Sequence, residues 1–214
     1  MRLNFTKRSR LVGVLILALL LLGFGFYYAS TQNEHRAAIQ AIRDAGGRFG
    51  YDYENYNNPQ GLAPHTWVPP WLQRLIGPEW KDMFHQVDYV IFEGGESPTD
   101  ETMAAISKLP KITLLVLWGN RTVTSQGYAH IGSLKNLTLL SIQATSLDDT
   151  GMLHLKDLKK LQHLQLCNTQ ITDQSAPILK NLPALKELWL DDTKISKPAA
   201  RDIEKALPKT MVTY

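Results

Sequence analysis

Three side chains within eleven residues could do chemistry together. His163, Cys167 and Asp173 stand in the stretch HLQLCNTQITD, and Cys167 is the only cysteine of the chain. A thiol beside an imidazole and a carboxylate can act as a nucleophile with its base, or supply ligands to a zinc ion. Either use requires the groups to touch. The element that carries them therefore decides whether an enzyme is worth seeking.

That element is one period of a repeat. From Val87 onward the pattern apolar-x-x-apolar-x-apolar recurs five times, as VDYVIF at 87, ITLLVL at 112, LTLLSI at 137, LQHLQL at 161 and LKELWL at 185, at intervals of 25, 25, 24 and 24 residues. Other columns keep step. Thr145, Thr169 and Thr193 are each followed two residues later by Leu147, Ile171 or Ile195. Asp100, Ser125, Asp149 and Asp173 start the segments that follow, and both residue types cap helices well because a side-chain oxygen accepts an orphan backbone N–H. An apolar stripe at three-residue steps comes next, from Met103, Ile106 and Leu109 to Ala200, Ile203 and Ala206. Each period therefore reads as strand, turn and helix. No single period can bury its own apolar residues, so neighbours must stack, strand beside parallel strand.

These columns resemble leucine-rich repeats. LxxLxLxxTxITDxxAxxLxxL is similar to the subclass whose asparagine or cysteine position is filled by threonine, and the resemblance covers Val87 to Tyr214, 128 of 214 residues. It implies an α/β solenoid, curved, with short parallel strands on the concave face and helices on the convex face. The ends depart from the pattern. GNRTVTSQG is one residue longer in its turn, the first segment lacks the Thr and Ile columns, and Lys197 replaces the last aspartate. Capping repeats are expected to be atypical. LPKTMVTY at the end reads as a truncated sixth strand.

Ahead of the repeats, Leu11 to Ala29 is a run of 19 residues without a charge. As a helix it spans about 28 Å at 1.5 Å per residue, near the hydrocarbon thickness of a bilayer. Its length, and Tyr27 and Tyr28 at its exit, favour an uncleaved anchor over a cleaved signal peptide. Arg2, Lys7, Arg8 and Arg10 in the first ten residues predict a cytoplasmic N-terminus, with the repeat domain on the extracytoplasmic side. The expected organisation is a basic N-terminus at 1–10, a transmembrane helix at 11–29, a linker and N-terminal cap at 30–86, and repeats with a C-terminal cap at 87–214. Within the cap, NEHRAAIQAIRDAGG predicts a helix with Ala37, Ala38, Ala41, Ile42 and Ala45 on its apolar side, ended by Gly46 and Gly47. RFGYDYE predicts a strand and PPWLQRLIGPEW a second helix. Gly46, Gly47, Tyr51, Asp52, Pro70, Trp71 and Leu72 carry a looser resemblance to short, membrane-anchored bacterial leucine-rich-repeat proteins.

Charge narrows the partner class. The chain has 23 basic and 20 acidic residues, a net charge of +3. Without the four leading cations the remainder is not basic, so nucleic-acid binding has no electrostatic footprint. A single cysteine excludes an intrachain disulfide and any zinc site built on two thiolates. GGRFG follows a helix and lacks the Lys-Ser/Thr pair of a phosphate loop.

The opening question then resolves against catalysis. Alternation along a strand sends Leu164 and Leu166 inward and His163, Gln165 and Cys167 outward. His163 and Cys167 would lie about 13 Å apart at 3.3 Å per residue, too far to share a proton or one zinc ion. Asp173 caps a helix, and the Thr column pairs turn backbone. No catalytic residue, cofactor or metal site is expected. The informative residues are the outward ones, of which Tyr89, Trp118, Gln143, His163, Gln165, Glu187, Trp189 and Asp191 form the expected partner-binding set, because exposed Trp and Tyr are favoured interface anchors. Five strands offer roughly 250 Å² against the 800 Å² per partner of a standard interface. A peptide or loop fits, and a whole protein must also touch turns such as GNRTVTSQG and DDTKIS. The leading expectation is a non-enzymatic, membrane-anchored module binding protein or peptide. A self-associating structural component of the cell envelope is the alternative, and an enzyme built on the cap loop YDYENYNN ranks last.

Overall fold

The computed structural model describes residues 33–51, 74, 87–94, 98–109 and 111–214. The predicted anchor at 11–29, the tyrosine-rich cap loop beyond Tyr51 and all of the PPWLQRLIGPEW segment but Arg74, which is helical, lie outside them. Among the described residues no helix is long and apolar enough to cross a membrane.

The first described element is a helix over residues 33–44, α1. It ends as its Gly-Gly sequence requires. Gly46 takes φ +82°, the left-handed conformation that costs glycine nothing, and the N–H groups of Gly46 and Gly47 return to the carbonyls of Arg43 and Ile42. Its buried side is Ala38, Ile39 and Ile42. Ala37, expected there, is exposed, because position 39 lies three residues before 42 on the same stripe and its larger side chain takes the inward place.

A seven-stranded sheet follows in strict chain order. Its strands are β1 (Arg48–Tyr51), β2 (Val87–Phe92), β3 (Leu114–Trp118), β4 (Leu139–Gln143), β5 (His163–Gln165), β6 (Glu187–Trp189) and β7 (Met211–Thr213). β1 runs antiparallel to β2, and every later pair is parallel. Between the parallel strands stand α2 (Asp100–Ile106), α3 (Ser125–Ile131), α4 (Asp149–Leu155), a 3-10 turn (Asp173–Ser175) leading into α5 (Ala176–Lys180), and α6 (Lys197–Ala206). The α/β solenoid with parallel strands is therefore observed, β7 included.

The core is the predicted one. Val90, Leu115, Leu140, Leu164 and Leu188 are fully buried and pack with the helix stripe, including Met103, Tyr128, Met152, Leu179 and Ile203. Each inward Leu gains about 1.5–3 kcal/mol relative to leaving it exposed. One stripe position moves. Ala206 is exposed and Leu207 is buried in its place, because α6 ends at Ala206 and the chain turns inward one residue later.

Two further regularities hold neighbouring repeats together. The residue before the Thr column, at Gly119, Ala144, Asn168 and Asp192, has φ between 54° and 73°. That left-handed step turns the chain out of the strand. Thr169 and Thr193 hydroxyls then donate to the carbonyls of Leu166 and Leu190 at 2.7 Å, as the Thr column was expected to do.

The helix-starting column does a different job from the expected one. The N-caps are one residue earlier, at Thr99, Thr124, Asp148, Thr172 and Ser196. Asp100, Asp149 and Asp173 sit at the first helical position and reach across to the next repeat instead. Asp100 accepts from the backbone N–H and hydroxyl of Thr124 at 2.8 and 2.5 Å. Asp149 accepts from Thr172 N–H and hydroxyl at 2.9 and 2.7 Å and from the Ser175 hydroxyl. Asp173 accepts from Ser196 N–H and hydroxyl at 2.7 and 2.8 Å. The cap hydroxyl satisfies its own helix, which leaves the carboxylate free to clasp the next cap. Ser125 is too short to do so, and its hydroxyl meets His154 Nε2 at 3.1 Å.

Candidate functional site

Strand pairing sorts the outward side chains into three rows across the sheet. The first row is Tyr89, Leu114, Leu139, His163, Glu187 and Met211. The second is Ile91, Val116, Ser141, Gln165, Trp189 and Thr213. In the third, Trp118 pairs with Gln143, and the next two periods add Cys167 and Asp191. All eight residues expected from sequence lie on this open face, opposite the helices.

Their surroundings differ. Of the large apolar side chains on this face Trp118 is the most open, at 56% exposure, and Met211 follows at 52%. Tyr89 is half-buried, its ring packed over Gly50 on β1 so closely that any side chain there would collide with it. Strict alternation fails at two places. Ile91 and Ser141 are only 8% and 3% exposed although they point to the open face. Both are in the central row, walled by longer neighbours, and Ser141 also accepts from Gln143 Nε2 at 3.1 Å.

The polar residues are already organised. Gln143 Nε2 donates to Gln165 Oε1 at 2.6 Å, and His163 Nδ1 lies 3.1 Å from Glu187 Oε2. Asp191 accepts from the Thr213 hydroxyl at 2.8 Å and from the Cys167 thiol at 3.8 Å. Burial first, and then the Asp191 charge, push the Cys167 thiol up from its ordinary pKa. A thiol so placed is a poor nucleophile, because the thiolate is the reactive form. Cys167 is tied to Asp191 rather than to His163. Among the described residues no group of three or more His, Cys, Asp or Glu could hold a metal ion. One donor is left over. The indole N–H of Trp189 is buried and has no hydrogen-bond partner among the described residues.

The repeat geometry has a counterpart in sequence families. Residues 159–200 match the family model described as Leucine Rich repeats (2 copies). Residues 159–200 thus read as two leucine-rich repeats. No curated protein matches it in sequence. Among solved structures, it is similar to an internalin (inlF) from Listeria monocytogenes, at 20% identity over 51% of this chain and 30% of that one, TM-score 0.45. An internalin C2 from the same organism shares 28% identity over 51% and 45% of the two chains, TM-score 0.44. A leucine-rich-repeat protein from Leptospira interrogans shares 31% identity over 52% and 27%, TM-score 0.41. The match thus spans less than half the length of each of these three.

Sequence reasoning missed two members of the face. Met211 and Thr213 extend the first and second rows onto β7. Their signal was present, since Met211 falls 24 residues after Glu187, one period on. Arg48 was missed for want of any such period. It pairs with Glu93 at 2.6 Å because β1 runs antiparallel beside β2, a relation no repeat announces.

Proposed function

We propose that the open strand face of these leucine-rich repeats binds a peptide or a protein loop, and that the module is held at a membrane by residues 11–29. Binding rather than catalysis is its mode of action. The observation that carries this reading is the pair of tryptophans at opposite ends of one polar strip. Trp118 is exposed, and Trp189 carries an indole N–H without a partner among the described residues. A buried donor left unpaired costs free energy that a partner's carbonyl could recover after a small side-chain rotation. Between them Gln143 and Gln165 are locked to each other, a preorganised amide surface that loses little freedom on binding.

Placing a photo-reactive residue at Gln143, and separately at Leu153 on the helix side, tests the reading in native membranes. A discrete adduct from position 143, absent from position 153 and lost in the Trp118→Ala/Trp189→Ala variant, is the expected result. Equal adducts from both positions, or none from either, sink it. An adduct of twice the chain's mass makes the self-associating envelope component the better account.

A further inference from the structure

The two lateral edges of the solenoid carry opposite charge. The helix-to-strand turns at 106–113, 131–138, 155–162, 179–186 and 203–210 hold ten lysines, two acids and no arginine. The described strand-to-helix turn residues, at 93–94, 98–101, 118–125, 143–149, 167–173 and 191–197, hold eight acids and three basic residues. The first set stacks into one edge. Backbone bonds run along it from Thr113 to Asp88, Gln162 to Thr138, Lys186 to Gln162 and Met211 to Lys186, and Lys159 Nζ reaches the next turn's Asn181 carbonyl at 2.9 Å.

Helix ends account for part of this. A cation complements the carbonyl end of the helix dipole, and Lys135 Nζ donates to the Gly132 carbonyl at 2.7 Å in that way. One cation per helix suffices for that duty, yet the turn after α4 holds Lys156, Lys159 and Lys160. Of the edge lysines only Lys205 forms an ion pair among the described residues, with Asp202 on its own helix at 3.8 Å. The same edge has an apolar element. An open cavity of about 240 Å³ is lined by Lys156, Asp157, Lys159, Pro177, Ile178 and Asn181, and Leu153 of the neighbouring α4 is 56% exposed.

We propose that this lysine edge docks on an anionic phospholipid bilayer, with the solenoid standing on its helix-to-strand turns. Lysines suit a diffuse plane of charge, where their flexible stems lie along apolar surface and their ammonium groups sit among headgroups. Arginine, the residue of choice for reading nucleic-acid phosphates and bases, is absent from the edge. Apolar side chains beside the lysines have a use in the interfacial region and none along a duplex. The acidic edge opposite would be repelled by the same surface, which fixes the orientation. This inference is independent of what the open face binds.

The test reconstitutes the full chain in vesicles of phosphatidylcholine alone, or of phosphatidylcholine with 30% phosphatidylglycerol. Cys167→Ser frees the chain of its native thiol, and an environment-sensitive dye is attached at Ser133→Cys on the lysine edge or at Gln170→Cys on the acidic edge. Quenching by headgroup-labelled lipid then reads proximity. The apolar segment meets both lipid mixtures alike, so it cancels in the comparison. Expected is quenching at position 133 only, only with phosphatidylglycerol, and lost in 0.5 M salt. Lys156→Gln/Lys159→Gln/Lys160→Gln should lower the docking equilibrium constant by about fivefold per lysine, with an unchanged circular dichroism spectrum. Equal quenching in the two mixtures, equal quenching at the two edges, or an undiminished signal in the triple variant overturns the proposal. Duplex DNA binding by the micellar chain without lipid-dependent quenching assigns the edge to nucleic acid and overturns it as well.

Discussion

The two halves of the open face share one backbone and differ in everything that backbone displays. On β2 to β4 the outward residues are Tyr89, Ile91, Leu114, Val116, Trp118 and Leu139, an apolar field. On β5 and β6, with the end of β4 and Asp191 just beyond β6, Trp189 stands among polar groups held in separate contacts, Gln143 with Gln165, His163 with Glu187, and Asp191 with Thr213. Behind both halves stand the same fully buried leucines, at 115, 140, 164 and 188. The inward positions set the scaffold, so the contrast lies in what the face displays and not in what holds it folded.

The strongest way to break that view is to cut the scaffold behind each half. Leu140→Ala and Leu188→Ala should each lose about 2–5 kcal/mol in urea unfolding, with similar values, because each leaves a cavity in the same kind of layer. A loss confined to one half would mean that the scaffold is not uniform.

The clasp between repeats comes next. Asp149→Ala removes the acceptor for three donors and should cost about 1–3 kcal/mol. The Asp149 pKa is lowered. Burial acts to raise it, and the hydrogen bonds from Ser175 and Thr172 outweigh that. Asp148 is lowered as well, by the Thr150 hydroxyl and then the Gly151 N–H. A carboxylate with a depressed folded pKa contributes stability that is complete above its unfolded value, about 3.9, and is lost as the pH falls through the folded one. Wild type should therefore lose stability faster than Asp149→Ala does as the pH falls below about 4. Parallel acid-denaturation curves for the two proteins would count against the clasp.

Smaller effects sharpen the contrast within the face itself. Glu187→Gln breaks the His163 contact in the polar half, and as a half-exposed pair it should cost under about 1 kcal/mol. Trp118→Ala in the apolar half should change stability by no more than about 0.5 kcal/mol while abolishing the adduct at position 143. The slightest effect is chemical. Asp191→Asn should speed alkylation of Cys167 at pH 8, since it removes the charge that, after burial, holds the thiol protonated. An unchanged rate would leave burial as the sole cause.

How much of this the sequence could tell follows from where periodicity reaches. The five strand segments, the inward leucines and the hydroxyl column were legible because each is repeated, and a misreading at one period is corrected by the next. Even the member on β7 obeys the same count, though it was passed over. The clasp was misassigned because Thr99-Asp100 and Thr172-Asp173 offer two capping side chains side by side. Only the coordinates tell which turns inward to its own helix and which reaches to the neighbour. Ile91 and Ser141 point to the open face and are nevertheless buried, which alternation could not tell, because it gives direction and not depth. Arg48 beside Glu93 joins an unrepeated strand to a repeated one, where no period applies.

The clasps also give the molecule a direction. Each carboxylate belongs to one repeat and grips the next toward the C-terminus, at Asp100, Asp149 and Asp173. The row is interrupted once, where Ser125 stands in place of an acid. Pulled from its two ends, such a chain would not part at random. It has a seam between the repeats of α3 and α4, where the strand ladder, packing and the Ser125–His154 contact hold the two without a carboxylate between them.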